Sequence, residues 1–335
     1  MRIFIQSFEA ISPIESFANS SVSLEKPQAV DGYLKCSEPD YKTYINPKLL
    51  RRMSRVIKMG VSTANQALTK SGIAQPDAIL MGTGLGCVDD TITFLNQLTE
   101  NQESLLNPTA FIQSTHNTVS GQIALMLECK SYNLTFTQQQ LSFETVLLEG
   151  LMMLEEKANQ HILVGSLDEM TPQLAQLLVQ NGCAETSTTT GYTPGEGAAF
   201  FMLSDKGQKA DPSIIGFEIR HDLLTTDDRA NAIGTFLEKC GIQIDSLGLI
   251  LNGANGSSMD KHDDYLNKEQ FANIQSIAFK NYCGEHDSAT AFAMWLACAV
   301  STKAINNIEI PDHQPYILIH NRAKNGGDVL ILIQK

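Results

Sequence analysis

The sequence predicts an α/β fold built from two similar halves. Strand-like and helix-like stretches alternate along the whole chain. Residues 205–212 form a polar break with Gly and Pro, which divides the chain into halves 1–204 and 205–335. At 335 residues and 43% hydrophobic content, the chain can bury one large core or two fused ones. In order, residues 1–8 alternate Ile3, Ile5 and Phe8 with polar neighbours and predict a strand. Residues 47–71 predict a helical stretch carrying Leu49, Leu50, Met53, Val56 and Ile57. A short buried strand is expected at 77–84, a helix at 117–127, a strand at 133–138, a helix at 142–158, and strands at 161–165 and 198–204. The second half repeats the rhythm, with strands at 214–220, 247–252 and 274–278, a buried helix at 289–302, and closing strands at 316–320 and 329–333. Two similar halves suggest an internal duplication, although the residues themselves do not repeat.

Composition narrows the function. The formal net charge is -13 and no run of Lys or Arg is present, which argues against nucleic acid as a partner. Arg51, Arg52 and Lys58 read as a solvated helix face. The N-terminus lacks the apolar core of a signal peptide, and the most apolar run, AFAMWLACAV at 291–300, is too short to span a membrane. The seven cysteines are scattered and never spaced CxxC, so reduced thiols in the cytoplasm are expected and zinc is not. Asp260, His262, Asp263 and Asp264 could be read as metal ligands, but their spacing suits no defined geometry and a solvated helix start is expected instead. No cofactor and no metal is expected.

The sharpest local signal is GYTPGEGAAFFML at 191–203, a turn running directly into an apolar strand. Gly195 and Gly197 permit a tight turn or close backbone approach, and Glu196 can be held inside by backbone donors. Upstream stand HILVGSLDEM at 161–170 and SYNLTFTQQQLSFETVLLEGLMML at 131–154, a strand running into a long helix. STHNTVSGQIALML at 114–127 precedes them, and its His116 reads as a loop or helix-cap residue. Downstream come ILNGANGSSMDKHDDY at 250–265, AFKNYCGEHDSATAFAMWLA at 278–297 and HNRAKNGGDVLILI at 320–333.

In order and spacing, these segments resemble the β-ketoacyl synthases of the thiolase-like superfamily. The resemblance implies a layered α-β-α-β-α arrangement and a dimer formed through a strand of the first half. In that family a cysteine sits at the elbow where the strand meets the long helix, because free helix N–H groups stabilise a thiolate there. Counting back from Gly165, the cysteine position falls on Gln140. Gly256, Ser257 and Asp263 match the next motif, whose catalytic histidine position is Asn255. Lys280, Gly284 and Ala289 match the following one, whose histidine position is Glu285; a register slip of one residue would put His286 there instead. Gly326 and Gly327 match a gate loop whose aromatic residue is replaced by Asn325. The family's histidines stabilise the enolate oxyanion formed on decarboxylation. Asn255 could donate one hydrogen bond to it, whereas a Glu285 carboxylate would repel it. The resemblance is therefore to the degenerate, chain-length-factor type, such as the short ketosynthase-like proteins of aryl polyene and dialkylresorcinol clusters. It implies a non-condensing subunit that pairs with an active ketosynthase, with acyl carrier protein as a further partner. Two alternatives stand beside this. One is an active acyltransferase using another nucleophile, Cys283 or Cys87, with His286 as its base. The other is a homodimeric scaffold.

Overall fold

The computed structural model describes residues 2–335 except Leu105, Asn107, 185–190, Asp222, Leu224, 257–263 and Asn325. The strands are β1 (Ile3–Ile11), β2 (Ala78–Gly82), β3 (Tyr132–Phe136), β4 (His161–Asp168), β5 (Gly197–Ser204), β6 (Ser213–Arg220), β7 (Leu247–Asn252), β8 (Ser276–Ala278), β9 (Tyr316–Arg322) and β10 (Asp328–Gln334). The helices are α1 (Pro47–Leu50), α2 (Arg55–Ser71), α3 (Val88–Glu100), α4 (Pro108–Gln113), α5 (Thr118–Met126), α6 (Ser142–Glu156), α7 (Pro172–Gln180), α8 (Thr226–Lys239), α9 (Lys280–Cys283) and α10 (Ala289–Ser301).

The strands lie in the order β3-β2-β4-β5-β1-β6-β10-β9-β7-β8. Numbered within its own half, each set of five follows the same order, third-second-fourth-fifth-first, counted inward from the outer edge. The two sets meet where β1 pairs antiparallel with β6 through Ile3 and Phe4. Residues 205–212 are the connection between β5 and β6.

Period-two alternation assigns each strand's side chains to a layer. On β4, Ile162 and Val164 join one core cluster while Leu163 and Leu167 join another; on β5, Phe201 and Leu203 divide from Phe200 and Met202 in the same way. On β9 and β10, Ile317, Ile319, Val329, Ile331 and Ile333 face the first cluster, and Leu318, Leu330 and Leu332 face a third. The shared central cluster contains α6 and α10; α2 and α5 cover the outer face of the first five strands, and α8 covers that of the second. The result is the α-β-α-β-α layering expected. Every residue of α10 is buried, so the run at 291–300 is a buried core helix. Among the described residues no helix is long and apolar enough to cross a membrane.

Several boundaries differ from expectation. β1 runs on to Ile11, because Ala10 and Ile11 stay paired with Ala199 and Ala198. The stretch 47–71 is two helices: Asn46 caps α1 by accepting from the Lys48 N–H, and the chain restarts at Ser54 before α2. α2 stops at Gly72, whose φ of 73° lies in the left-handed region that closes helices.

Candidate functional site

The centre forms where β3, β7 and the residues before α10 converge on the start of α6. After β3 the chain makes a short 3-10 turn, Gln139–Leu141, and enters α6. Gln139 sits at φ 52°, a left-handed conformation uncommon for a residue with a side chain, so the elbow is strained. Ser142 holds it: its Oγ accepts from the Gln138 N–H at 2.9 Å and lies 2.6 Å from the Gln139 carbonyl. This turn presents Gln140 inward, 6% exposed.

Opposite it stand two loops of the second half. Beyond β7, the Asn252 side chain accepts from the Ala254 N–H at 3.1 Å and shapes the turn that carries Asn255. α9 begins at the buried Lys280 and stops at Gly284, φ 74°, which delivers Glu285. A Cβ on Gly195 would come within 2.6 Å of Gly284 Cα, and one on Gly284 within 2.5 Å of Gly195 Cα, so both positions must be glycine for the segments to touch. Two backbone hydrogen bonds seal that contact, Gly195 N–H to the Glu285 carbonyl at 3.0 Å and Glu285 N–H to the Thr193 carbonyl at 2.9 Å. Gly197, by contrast, has room for a methyl at ordinary contact distance, so the close-approach argument does not extend to it.

The three positions singled out from the sequence meet in one cluster. Gln140 Nε2 donates to Glu285 Oε1 at 2.6 Å, and Asn255 Nδ2 donates to Glu285 Oε2 at 2.5 Å. The Lys280 ammonium lies 2.9 Å from Glu285 Oε2, with both side chains almost fully buried. The other end of the Gln140 amide is also engaged: Oε1 accepts from the Lys324 N–H at 2.5 Å. Burial alone would push the Glu285 pKa up, but the Lys280 charge and the hydrogen bonds from Lys280 and Asn255 hold it below the usual carboxylate range. Lys324 then reaches across the outside: its ammonium lies 4.3 Å from the centre of the Tyr192 ring and donates to Tyr192 Oη at 3.0 Å. Neither Lys324 nor Tyr192 was singled out from the sequence, although Lys324 immediately precedes the expected gate position.

The remaining expected residues fall around this cluster. Glu196 is fully buried and accepts from both Arg55 Nη atoms, at 2.7 and 2.5 Å, and from the N–H groups of Cys36 and Met170, each at 2.9 Å. It braces the turn against α2 and does not face Gln140. Arg55 could have been suspected only from the need to pair a buried Glu196. Glu285, not His286, is the side chain that bonds Gln140. His286 lies beside Ser166, Gly197, Cys283 and Ser288 around a cavity of about 10 Å³, the lower limit for one water. Burial lowers the His286 pKa against the pull of the Asp168 and Glu285 carboxylates, which favours the neutral ring, and its Nδ1 has no hydrogen-bond partner among the described residues. Cys283 and Cys87 are buried, and burial pushes both thiols well up. Ser257, Asp260, His262, Asp263 and Asn325 lie outside the described residues, and Asp264 opens a 3-10 turn. Among the described residues no three His, Cys, Asp or Glu side chains gather as metal ligands.

Chemically the centre is two amides, an ammonium and a carboxylate. None can form an acyl thioester. A carboxylate would repel a developing enolate oxyanion placed beside it.

The β-ketoacyl synthase N-terminal domain family matches residues 28–210, more than half of the chain. No curated protein matches. Among solved structures, the ishigamide ketosynthase/chain length factor is similar at TM-score 0.79 and 16% identity, covering 100% of this chain and 99% of that one. A type II polyketide synthase ketosynthase, solved with its acyl-carrier protein and bound to the hexaketide, is similar at TM-score 0.74 and 16% identity, covering 99% of both chains. The ketosynthase ApeO in complex with its chain length factor ApeC, from Xenorhabdus doucetiae, is similar at TM-score 0.75 and 14% identity, covering 99% of this chain and 97% of that one. With its matched sequence and its layered thiolase-like fold, this chain belongs to the β-ketoacyl synthase family.

Proposed function

We propose that this chain is the non-condensing, chain-length-factor-like subunit of a heterodimer with an active ketosynthase in polyketide or fatty acid biosynthesis. The observation that carries this reading is the closed cluster of Gln140, Asn255, Glu285 and Lys280. The positions matching the family's nucleophile and two histidines bond to one another, leaving no thiol and no free donor pair at the elbow. Its contribution would be packing and pocket shape, not bond making.

A second observation supports the pairing. β3 is an edge strand, and several exposed large apolar residues lie on it and on the helices packed against it: Tyr132 and Leu134 on β3, Leu125 on α5, and Leu148 and Met152 on α6. An open edge flanked by apolar side chains is a template for a partner. Among the neighbours, one is a ketosynthase with its chain length factor and another a ketosynthase with its acyl-carrier protein, which fits a ketosynthase and a carrier protein as the partners here. The division into halves 1–204 and 205–335 is part of the same reading, as two fused copies of one topology.

Co-expression with an intact Cys-His-His ketosynthase, followed by size-exclusion chromatography, tests the pairing. A stable one-to-one complex is expected. A strict monomer with and without the partner overturns it, and a homodimer indifferent to the partner favours the scaffold. Intact-mass measurement after incubation with acyl carrier protein tests the chemistry: no adduct is expected. A thioester-sized adduct on Cys283 would revive the acyltransferase reading, which the burial of that thiol disfavours.

A further inference from the structure

We infer that the centre of this protein is a carboxylate-binding site that the chain fills with its own Glu285 side chain. Three donors from three separate parts of the chain converge on that one carboxylate. Gln140 comes from the elbow before α6, Asn255 from the turn after β7, and Lys280 from the start of α9. Gln140 cannot turn its carbonyl toward Glu285 without losing the bond from the Lys324 N–H, so the backbone of residue 324 fixes its amide as a donor. The orientation of the Gln140 donor is therefore set by a group that does not depend on Glu285. The carboxylate itself arrives on a two-carbon stem from a backbone position locked by Gly195 and Gly284.

A receptor built this way should survive removal of its occupant. Truncating Glu285→Ala deletes a fragment with the size and charge of acetate; Glu285→Gly deletes one with the size of propionate. Each variant takes from the buried Lys280 ammonium, and from the Gln140 and Asn255 side-chain N–H groups, the carboxylate on which they converge, a state that favours an anion in its place. Asn255 is only partly buried, which leaves a small carboxylate a way in. The inference rests on the geometry of the cluster alone and holds whether or not the chain pairs with a ketosynthase.

The test is thermal unfolding of the full-length Glu285→Ala and Glu285→Gly proteins in sodium acetate, sodium propionate or sodium chloride at equal ionic strength. Both variants should melt below the parent in chloride. Acetate should raise the midpoint of the Ala variant by a saturable few degrees, and propionate should be the better ligand for the Gly variant. The parent, whose site is occupied, should respond to neither carboxylate beyond the chloride control. Adding Lys280→Met to Glu285→Ala should abolish the gain. Line broadening of ¹³C-acetate by the Ala variant, relieved by excess unlabelled acetate, provides a readout independent of unfolding. The inference is overturned by equal responses to chloride and carboxylate, by an equal carboxylate response in the parent, or by failure of both variants to fold at every carboxylate concentration.

Discussion

At the scale of the residue, the centre is a set of side chains that depend on each other. A glutamine at position 140 is useful only because Glu285 accepts from it and the Lys324 N–H donates to it. Glu285 in turn is tolerable when buried only because Lys280 and Asn255 stabilise its charge. On the proposed reading of Gln140 as the nucleophile position, a cysteine placed there alone should therefore fail. In Gln140→Cys the thiol would face the Glu285 carboxylate, which raises a thiol pKa and disfavours the thiolate that must attack. Even a slow acylation would find the Asn255 and Lys280 donors engaged by Glu285, and losing one oxyanion donor typically costs ~10²–10³ in rate. Purified Gln140→Cys, given malonyl and acyl carrier proteins without a partner synthase, should show no chain extension; robust turnover would mean that Asn255 and Glu285 do not stand where histidines are needed. Glu196 has a different role, and its removal should cost stability. Glu196→Ala would strip Arg55 of its bidentate partner and leave the Cys36 and Met170 N–H groups unpaired. Breaking a buried pair in this way costs about 3–5 kcal/mol, which a urea titration with and without the substitution would measure.

At the scale of the element, the edge strand β3 carries the next expectation. Asn133 and Thr135 bond to Ser120 of α5, which turns Tyr132 and Leu134 toward the face on which α6 packs, beside the exposed Leu148 and Met152. Charging this face should spare the fold, because these side chains are already in solvent, while opposing a partner strand. Leu134→Lys together with Met152→Lys should leave the circular dichroism and melting midpoint of the isolated chain nearly unchanged and abolish co-elution with an active ketosynthase. Retained co-elution would place the interface elsewhere. The elements also show what was legible beforehand. β4, β5, β9, β10 and α10 were readable because burial on both faces leaves continuous apolar runs bounded by polar turns. α3 was not read, since it buries none of its residues and leads with Asp89 and Asp90, and α7 buries only Ala175. The split between α1 and α2 was hidden because both pieces carry apolar residues at helical spacing across the break. In the site, spacing within short motifs located Gln140, Asn255 and Glu285, whereas the Arg55–Glu196 brace and the Lys324–Gln140 bond join residues 141 and 184 apart in sequence. Such pairings depend on the sheet order, which periodicity does not supply.

At the scale of the whole molecule, the distribution of acid groups sets a pH response. The chain carries a formal net charge of -13, and several of its carboxyl groups are buried. Burial pushes Glu144 up to about 7 and Glu169 up to about 8, against Thr290 and Lys280 near the first and the Asp89 N–H at the second. Burial, reinforced by the nearby Asp168, pushes Asp287 up to about 6. In the unfolded chain such groups titrate near 4. Between about pH 4 and 8 the native protein therefore holds protons that the unfolded chain has released, and each such proton makes stability fall by about 1.4 kcal/mol per pH unit of rise. Self-repulsion of the net negative charge acts in the same direction. Glu285 and Asp328 oppose the trend: burial disfavours their charged forms, but Lys280 and Asn255 around the first, and His320 and Arg229 around the second, hold both pKa values down. Their stabilisation is present above the unfolded carboxylate value and is lost only as pH falls below it, toward their depressed values. Stability should thus peak near the unfolded carboxylate value, at about pH 4, and decline from there toward pH 8. Urea midpoints measured at half-unit steps from pH 4 to 8.5 would check this. Glu144→Gln keeps the size of that side chain and removes its titration, so it should flatten the fall between pH 5 and 7 while leaving the steeper loss below pH 4 in place. A midpoint that is level or rising toward pH 8 would mean that these carboxyl groups are reached by water in the native state and do not hold their protons.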